Sequence, residues 1–241
     1  MNKILFTTGA IALAVLTYLG GGLGVSAAEE KAVKLPPPAI DTPATAQAST
    51  ATAVFAGGCF WGVQGVFQHT RGVLNAVSGY AGGDKATASY DIIGSGRTGH
   101  AESVQITYDP RQVSYGKLLQ IYFSVAHDPT TLNRQGPDHG TQYRSAIFYL
   151  DTNQKQIAEK YIVQLDAAKV FPGKIVTQLT PLAAPLAFYP AEAYHQDYAT
   201  LHPGEPYIAT FDLPKIANLK TMMPELYRDK PVLVSQAGKA G

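Results

Sequence analysis

The stretch TAVFAGGCFWGVQGVFQ, residues 52–68, passes from strand to turn to helix within seventeen positions. Residues 52–56 form an apolar run of strand length, Gly57 and Gly58 supply the turn, and residues 59–68 read as the first turns of a helix. Cys59, the single cysteine among 241 residues, therefore stands at a helix N-terminus. Unpaired N–H groups and the positive end of the macrodipole favour thiolate over thiol there. Lone cysteines commonly act as small buried hydrophobes. Flanking glycines and a cap position argue instead for a nucleophile.

The pattern beyond this stretch mixes periods. Residues 73–80 read as a strand running into Gly79, Gly82 and Gly83, and a Gly-rich loop covers 89–100. Residues 103–108 alternate, with Val104, Ile106 and Tyr108 on one face of a half-buried strand that Asp109-Pro110 ends. Ser114 is suited to cap a helix striped by Leu118, Leu119, Tyr122 and Phe123, stopping near His127-Asp128-Pro129. A polar loop over 130–142 leads to a strand over 144–150 and then a helix over 153–168, marked by Ile157, Tyr161 and Leu165. Residues 175–182 are β-rich, and a short helical stretch over 191–201 ends before Pro203. Strict βαβ alternation is absent, so an α+β fold is expected, with helices layered on a mainly antiparallel or mixed sheet.

The flanks differ from this core. Residues 1–28 carry one charge, Lys3, then an apolar run ending in Val25-Ser26-Ala27-Ala28. That is the form of a secretory signal peptide, and residues 4–25 are also long enough to remain as an N-terminal anchor. An exported location, periplasmic or in the cell envelope, is expected. Residues 29–50, rich in Pro, Ala and Thr with Pro36-Pro37-Pro38, read as a linker. A single catalytic domain is expected over 51–215, and 216–241 reads as a flexible tail.

A net charge of +1 with both signs interspersed provides no field for nucleic acid or an anionic membrane. Six histidines are present, yet no H-E-x-x-H or cysteine-rich ligand set appears, so no metal is expected. An unpaired thiol in an oxidising compartment is a liability unless it does chemistry.

Polar side chains beside small residues gather at residues 89–91 with 99–102, at 135–145 and at 191–196. Together with the opening stretch they make an ordered set: Gly58-Cys59-Phe60-Trp61-Gly62, Gly99-His100-Ala101-Glu102, His127-Asp128-Pro129-Thr130, Gln135-Gly136 through Gln142-Tyr143-Arg144-Ser145, and Tyr194-His195-Gln196. In order and spacing this set resembles the A-class peptide methionine sulfoxide reductases over about residues 52–201. The resemblance implies a two-layer α/β sandwich and an enzyme that reduces methionine S-sulfoxide, free or in proteins, for repair after oxidation. It implies no metal and no organic cofactor. By motif position Cys59 is the nucleophile, Glu102 the proton donor, and Tyr90 and Tyr143 hold the sulfoxide oxygen. Phe60 and Trp61 receive the methyl group, Asp138 orients substrate or water, and His195 joins the substrate-binding set; His100 and His195 also read as structural hydrogen-bonding groups.

The chemistry suits these residue types. Attack of sulfur on a sulfoxide pushes charge onto its oxygen, which an acid must then protonate. Glu102 can do this only as a neutral acid, so a buried, aromatic environment is expected for it. Many relatives carry further cysteines near the C-terminus; none is present here, so Cys59 is expected to stop as a sulfenic acid until an external thiol, thioredoxin-like or small, reduces it. Two other readings start from the same residues. A thiol hydrolase pairing Cys59 with His195 or His100 leaves Glu102 and the tyrosines idle, and a non-catalytic binder of oxidised peptides leaves the cysteine unexplained.

Overall fold

The computed structural model describes residues 31–42, 49–184 and 186–237. Among the described residues eight strands are present: β1 (Ala51–Gly57), β2 (Val73–Ala81), β3 (Ala101–Tyr108), β4 (Arg134–Gln135), β5 (Asp138–His139), β6 (Ser145–Tyr149), β7 (Gln178–Pro181) and β8 (Phe188–Pro190). The helices are α1 (Phe60–Gln68), α2 (Tyr90–Ile93), α3 (Tyr115–Ile121), α4 (Thr152–Ala167), α5 (Tyr198–Leu201), α6 (Leu213–Met222) and α7 (Val234–Ala237). Six strands form one sheet in the order β7-β6-β1-β3-β2-β8, antiparallel throughout except for the β6–β7 pair. The expected α+β fold on a mixed, mainly antiparallel sheet is what the chain adopts.

Strand alternation distributes the core over both faces. Ala53 and Phe55 of β1 and Val104 and Ile106 of β3 meet the helices, with Phe60, Val63, Val66 and Phe67 of α1 above them. The opposite face carries the small side chains Val54, Ala56, Ala81, Ala101 and Ala146 around Phe148, closed by Leu182 and Phe188. Residues this small let the sheet curl over a single ring. Ser114 caps α3 by accepting the Lys117 N–H at 3.1 Å, as its position predicts.

The register explains where a site forms. Phe55 pairs with Val104, so two residues further the end of β1 lies abreast of Glu102 at the start of β3. Tyr80 of β2 pairs directly with Glu102, and Gly57 pairs with Ser145 at the start of β6. Glu102 shares parity with Val104 and Ile106, so its side chain faces the helix layer. Antiparallel pairing thus gathers four chain segments at the sheet end where α1 begins.

Both flanks correct the sequence reading. The proline-rich segment is no free linker where it is described: Leu35 is buried, Tyr161 donates to the Pro36 carbonyl at 2.8 Å, and Gln120 donates to the Leu35 carbonyl at 2.7 Å. Asp41 accepts the Gly116 N–H at 2.7 Å, in the first turn of α3. Residues 216–237 are no loose tail either. α6 buries Ile216 and Leu219 against α1, the Val232 N–H reaches the Gln68 carbonyl at 3.1 Å, and Asp197 accepts the N–H groups of Val234 and Ser235. Pro214 in the first turn and apolar residues at 213, 216 and 219 start and stripe this helix. The candidate signal or anchor segment, 1–28, lies outside the described residues. Among the described residues no helix is long and apolar enough to cross a membrane.

Candidate active site

Cys59 is the N-cap of α1 and is 7% exposed. Two glycines make its position possible. Gly58 has φ of +86°, and a Cβ there would lie 2.5 Å from Gln135 Cβ. Gln135 is itself locked, its amide donating to the Asp128 carbonyl at 2.7 Å and accepting the Asp128 N–H at 3.0 Å. Gly62, in the first turn of α1, leaves room for the buried Asp212 carboxylate; a Cβ would stand 2.2 Å from Asp212 Oδ1.

Glu102 accepts the Phe60 N–H at 3.0 Å, so its carboxyl sits against the same helix terminus as Cys59. It is 2% exposed. Burial pushes the carboxyl up to about 8, against the pull of the Phe60 N–H, and the charges of Asp138 and Asp212 add to the rise. A neutral acid near pH 7 is therefore what the fold provides. For Cys59 the expectation of a favoured thiolate is reversed. Burial pushes the thiol well above its ordinary range, Asp212 and Glu102 push the same way, and the Trp61 N–H at the helix terminus opposes them without prevailing.

Cys59, Phe60, Trp61, Tyr90, Glu102, Asp138, Tyr143 and Tyr207 line one cavity of about 210 Å³. Seven residues anticipated from the sequence converge here: Cys59, Glu102, Tyr90, Tyr143, Phe60, Trp61 and Asp138. Burial raises the Tyr90 phenol to about 12 and the Tyr143 phenol further, so both remain hydrogen-bond donors. Loop anchors hold them in place. Arg144, next to Tyr143, donates to the carbonyls of Gly99, His100 and Thr141 at 2.8, 3.1 and 2.9 Å, tying the Tyr143 turn to the strand that carries Glu102. Glu192 accepts the Tyr90 N–H at 3.1 Å and the Tyr80 hydroxyl at 2.7 Å.

His195 does not join that lining. It is 1% exposed and lies behind Trp61, whose Nε1–H donates to its Nδ1 at 3.2 Å. Burying the imidazole against rings is the reason: Phe60, Tyr90 and Tyr194 surround it at centroid distances of 5.0, 4.4 and 4.2 Å. His100 is likewise structural, its Nε2 bonded to the Asp84 carbonyl at 3.0 Å.

Three residues at the site were missed in the sequence. Tyr207 lines the cavity and donates to Asp138; Asp212 and Lys215 are buried behind Cys59, 3.8 Å apart. Asp138 is raised by burial and lowered by the Tyr207 hydroxyl, Lys215 and His139. With Gln135 and Phe211, Tyr207 and Lys215 also border a second, water-sized cavity of about 20 Å³ that reaches Cys59. A signal for them existed in the Asp212-Leu213-Pro214 helix start. Among the described residues no group of three or more His, Cys, Asp or Glu side chains is placed to hold a metal.

The profile of the peptide methionine sulfoxide reductase family matches residues 51–225. A peptide methionine sulfoxide reductase MsrA 2 of Mesorhizobium japonicum is 64% identical over 186 residues, which cover 77% of this chain and 94% of the relative. Another from Synechocystis is 48% identical across 81% of this chain and 89% of that protein. Among solved structures, methionine sulfoxide reductase A of Corynebacterium diphtheriae is similar with a TM-score of 0.55 and 36% identity, covering 73% of this chain and 87% of that one. Mxr1 of Saccharomyces cerevisiae in its reduced form gives a TM-score of 0.60 at 30% identity, covering 68% and 92%. A match across most of the chain, with relatives this similar over nearly their whole length, places the protein in the peptide methionine sulfoxide reductase family.

Proposed function

We propose that this enzyme reduces methionine S-sulfoxide to methionine, using Cys59 as nucleophile and Glu102 as proton donor. The observation that carries the reading is the shared cavity: a thiol and a neutral carboxylic acid at one helix terminus, two phenols beside them, and two aromatic walls.

In the resting site both acidic groups hold their protons. Cys59 Sγ bonds to the sulfoxide sulfur as Glu102 protonates its oxygen and the thiol proton passes to the Glu102 carboxylate; the hydroxyl then moves to Sγ as the sulfur–sulfur and original sulfur–oxygen bonds break, leaving the thioether. The sum is one thiol and one sulfoxide giving one sulfenic acid and one thioether. Tyr90 and Tyr143 donate to the oxygen as charge grows on it, which is where a fixed donor lowers the barrier most. Phe60 and Trp61 enclose the methyl group. Methyl, oxygen and attacking sulfur then have separate walls, and only one hand at sulfur satisfies all three.

Cys59 has no second cysteine in the chain to resolve it. An external thiol attacks Sγ of the sulfenic acid, forming a mixed disulfide and water, and a further thiol releases Cys59. A thioredoxin-like protein or a small thiol suits this role, with oxidised proteins or free methionine S-sulfoxide as substrate. Residues 1–28 support export to the periplasm or envelope, as a cleaved signal or an anchor over 4–25. A thiol hydrolase gains no support, because the His195 Nδ1 lone pair is committed to Trp61 and neither His195 nor His100 lines the cavity that holds Cys59.

Turnover of each pure methionine sulfoxide epimer with dithiothreitol tests the proposal. Activity on the S epimer alone, abolished in Cys59→Ser, is expected. Equal turnover of both epimers, or activity surviving in Cys59→Ser, overturns it.

A further inference from the structure

Two cavities meet at Cys59. The larger holds Glu102, Tyr90 and Tyr143, and the smaller, of about 20 Å³, shares with it only Cys59, Asp138 and Tyr207. The Tyr207 hydroxyl donates to Asp138, so this pair is the partition between them. Beyond the partition the walls are Gln135, Phe211, Pro214 and Lys215, while Gly136, Pro137 and Thr210 stand exposed at the rim. The small cavity is therefore a narrow cleft that runs from the surface to the sulfur without crossing the substrate cavity. Its volume leaves room for about one small group and excludes a sulfoxide with its substituents. Lys215, buried and 3.8 Å from Asp212 Oδ1, is the one cation among the described residues that line this cleft. Three carboxyl groups act on the same sulfur: Asp212, Glu102 and Asp138. An anion entering here meets Lys215 as its counter-charge.

Resolving the sulfenic acid needs a second approach to Cys59. Displacement at a divalent sulfur is in-line, with the entering thiolate opposite the departing oxygen. That oxygen is left among Glu102, Tyr90 and Tyr143 in the larger cavity, so the entering sulfur comes from the other side of the partition. We propose that the cleft between Gly136-Pro137 and Thr210–Pro214 is the binding path of the thiolate that reduces the Cys59 sulfenic acid, with Lys215 as its counter-charge. This rests on the reductase reading for the origin of the sulfenic acid. The thiolate sulfur bonds to Sγ, the Sγ–oxygen bond breaks, and the hydroxyl leaves as water with the Glu102 proton. A second thiolate attacks the outer sulfur of the mixed disulfide and releases Cys59, so two thiols become one disulfide. Of the two protons those thiols shed, one restores Glu102 and the other the Cys59 thiol.

The experiment follows the sulfenic acid once it has formed. Thr210→Cys puts a thiol at the cleft rim and Ile92→Cys puts one on α2, on the Tyr90 side, both at exposed positions. After one equivalent of methionine S-sulfoxide without added thiol, peptide mapping finds Cys59 joined by a disulfide to position 210 in the first variant and no disulfide to position 92 in the second. A disulfide at both positions, at position 92 alone, or at neither overturns the path. Lys215→Met removes the charge. In stopped-flow reduction of the preformed sulfenic acid, its resolution rate divided by its rate of methionine formation falls by about 10- to 100-fold from the wild-type ratio, the worth of a bond to a charged group, and a general disturbance of Cys59 cancels. A loss with 2-mercaptoethanol alone assigns the cleft to small thiols, a loss with reduced thioredoxin as well extends it to protein thiols, and an unchanged ratio with both overturns the part of Lys215. If Lys215→Met does not fold, the Thr210→Cys result decides. A wild type that forms no methionine refutes the reductase reading; one equivalent of hydrogen peroxide then supplies the sulfenic acid, and the same disulfide comparison still decides the path.

Discussion

Replacing Glu102 with Gln removes a proton donor while keeping an acceptor for the Phe60 N–H, so the start of α1 keeps its partner. With the carboxyl at about 8, about nine-tenths of the enzyme carries the acid at pH 7 and about one-tenth at pH 9. Wild-type kcat/KM on methionine S-sulfoxide should therefore fall about tenfold for each pH unit above about 8. Glu102→Gln should be slower by about 10²- to 10⁴-fold near neutrality and should lack that alkaline limb. Stability carries a second signature. Because the folded carboxyl lies above the ordinary Glu value of 4.5, its contribution is complete below about 4.5 and is lost as pH rises through about 8. The loss is on the order of 5 kcal/mol, the linkage cost of holding that carboxyl at about 8 rather than 4.5. Urea unfolding from pH 5 to 9 should show wild type weakening with pH and Glu102→Gln nearly level. A Glu102→Gln enzyme within threefold of wild type, or one that retains the alkaline fall, refutes the reasoning.

Single Tyr143→Phe and Tyr90→Phe substitutions should each lower kcat by roughly 10- to 100-fold with little change in KM, since their hydroxyls act on charge that develops only in the reaction; steady-state kinetics would reveal a KM effect instead. Gly62→Ala places a Cβ 2.2 Å from Asp212 Oδ1 at a fully buried carboxylate, and should cost about 1–3 kcal/mol in urea unfolding. Leu219→Ala, within the segment read as a tail, should cost about 2–5 kcal/mol because Leu219 is fully buried. A surface-like cost below about 0.5 kcal/mol would show that α6 does not belong to the core.

Much of this molecule was legible because its signals are local. The 52–68 stretch gave strand, turn and helix, the period-two run at 103–108 gave β3, and Ser114 marked the start of α3. The convergence of Cys59, Glu102, Tyr90 and Tyr143 came from motif resemblance, and the physical reason for it is the antiparallel register that sets the ends of β1, β2, β3 and β6 side by side. What escaped the sequence was decided by tertiary packing. Helix-terminus chemistry predicts a thiolate at Cys59, yet burial beside Asp212 and Glu102 outweighs one turn of N–H groups. The prolines of 36–38 and residues 216–237 look solvated in composition, but backbone groups of Pro36, Pro37, Val232 and Val234 find partners on Tyr161, Gln164, Gln68 and Asp197. His195 is the structural hydrogen-bonding group the sequence suggests, but nothing in Tyr194-His195-Gln196 reveals its partner, an indole N–H 134 residues away.

The central claim is that Cys59 takes the oxygen from the sulfoxide. One equivalent of methionine S-sulfoxide added to reduced enzyme without thiol, followed by peptide mass spectrometry and methionine quantitation, tests it directly. One methionine formed per enzyme, with a single added oxygen confined to Cys59 and removable by dithiothreitol, is the predicted result; methionine formation with Cys59 unmodified, or oxygen found on another residue, contradicts it.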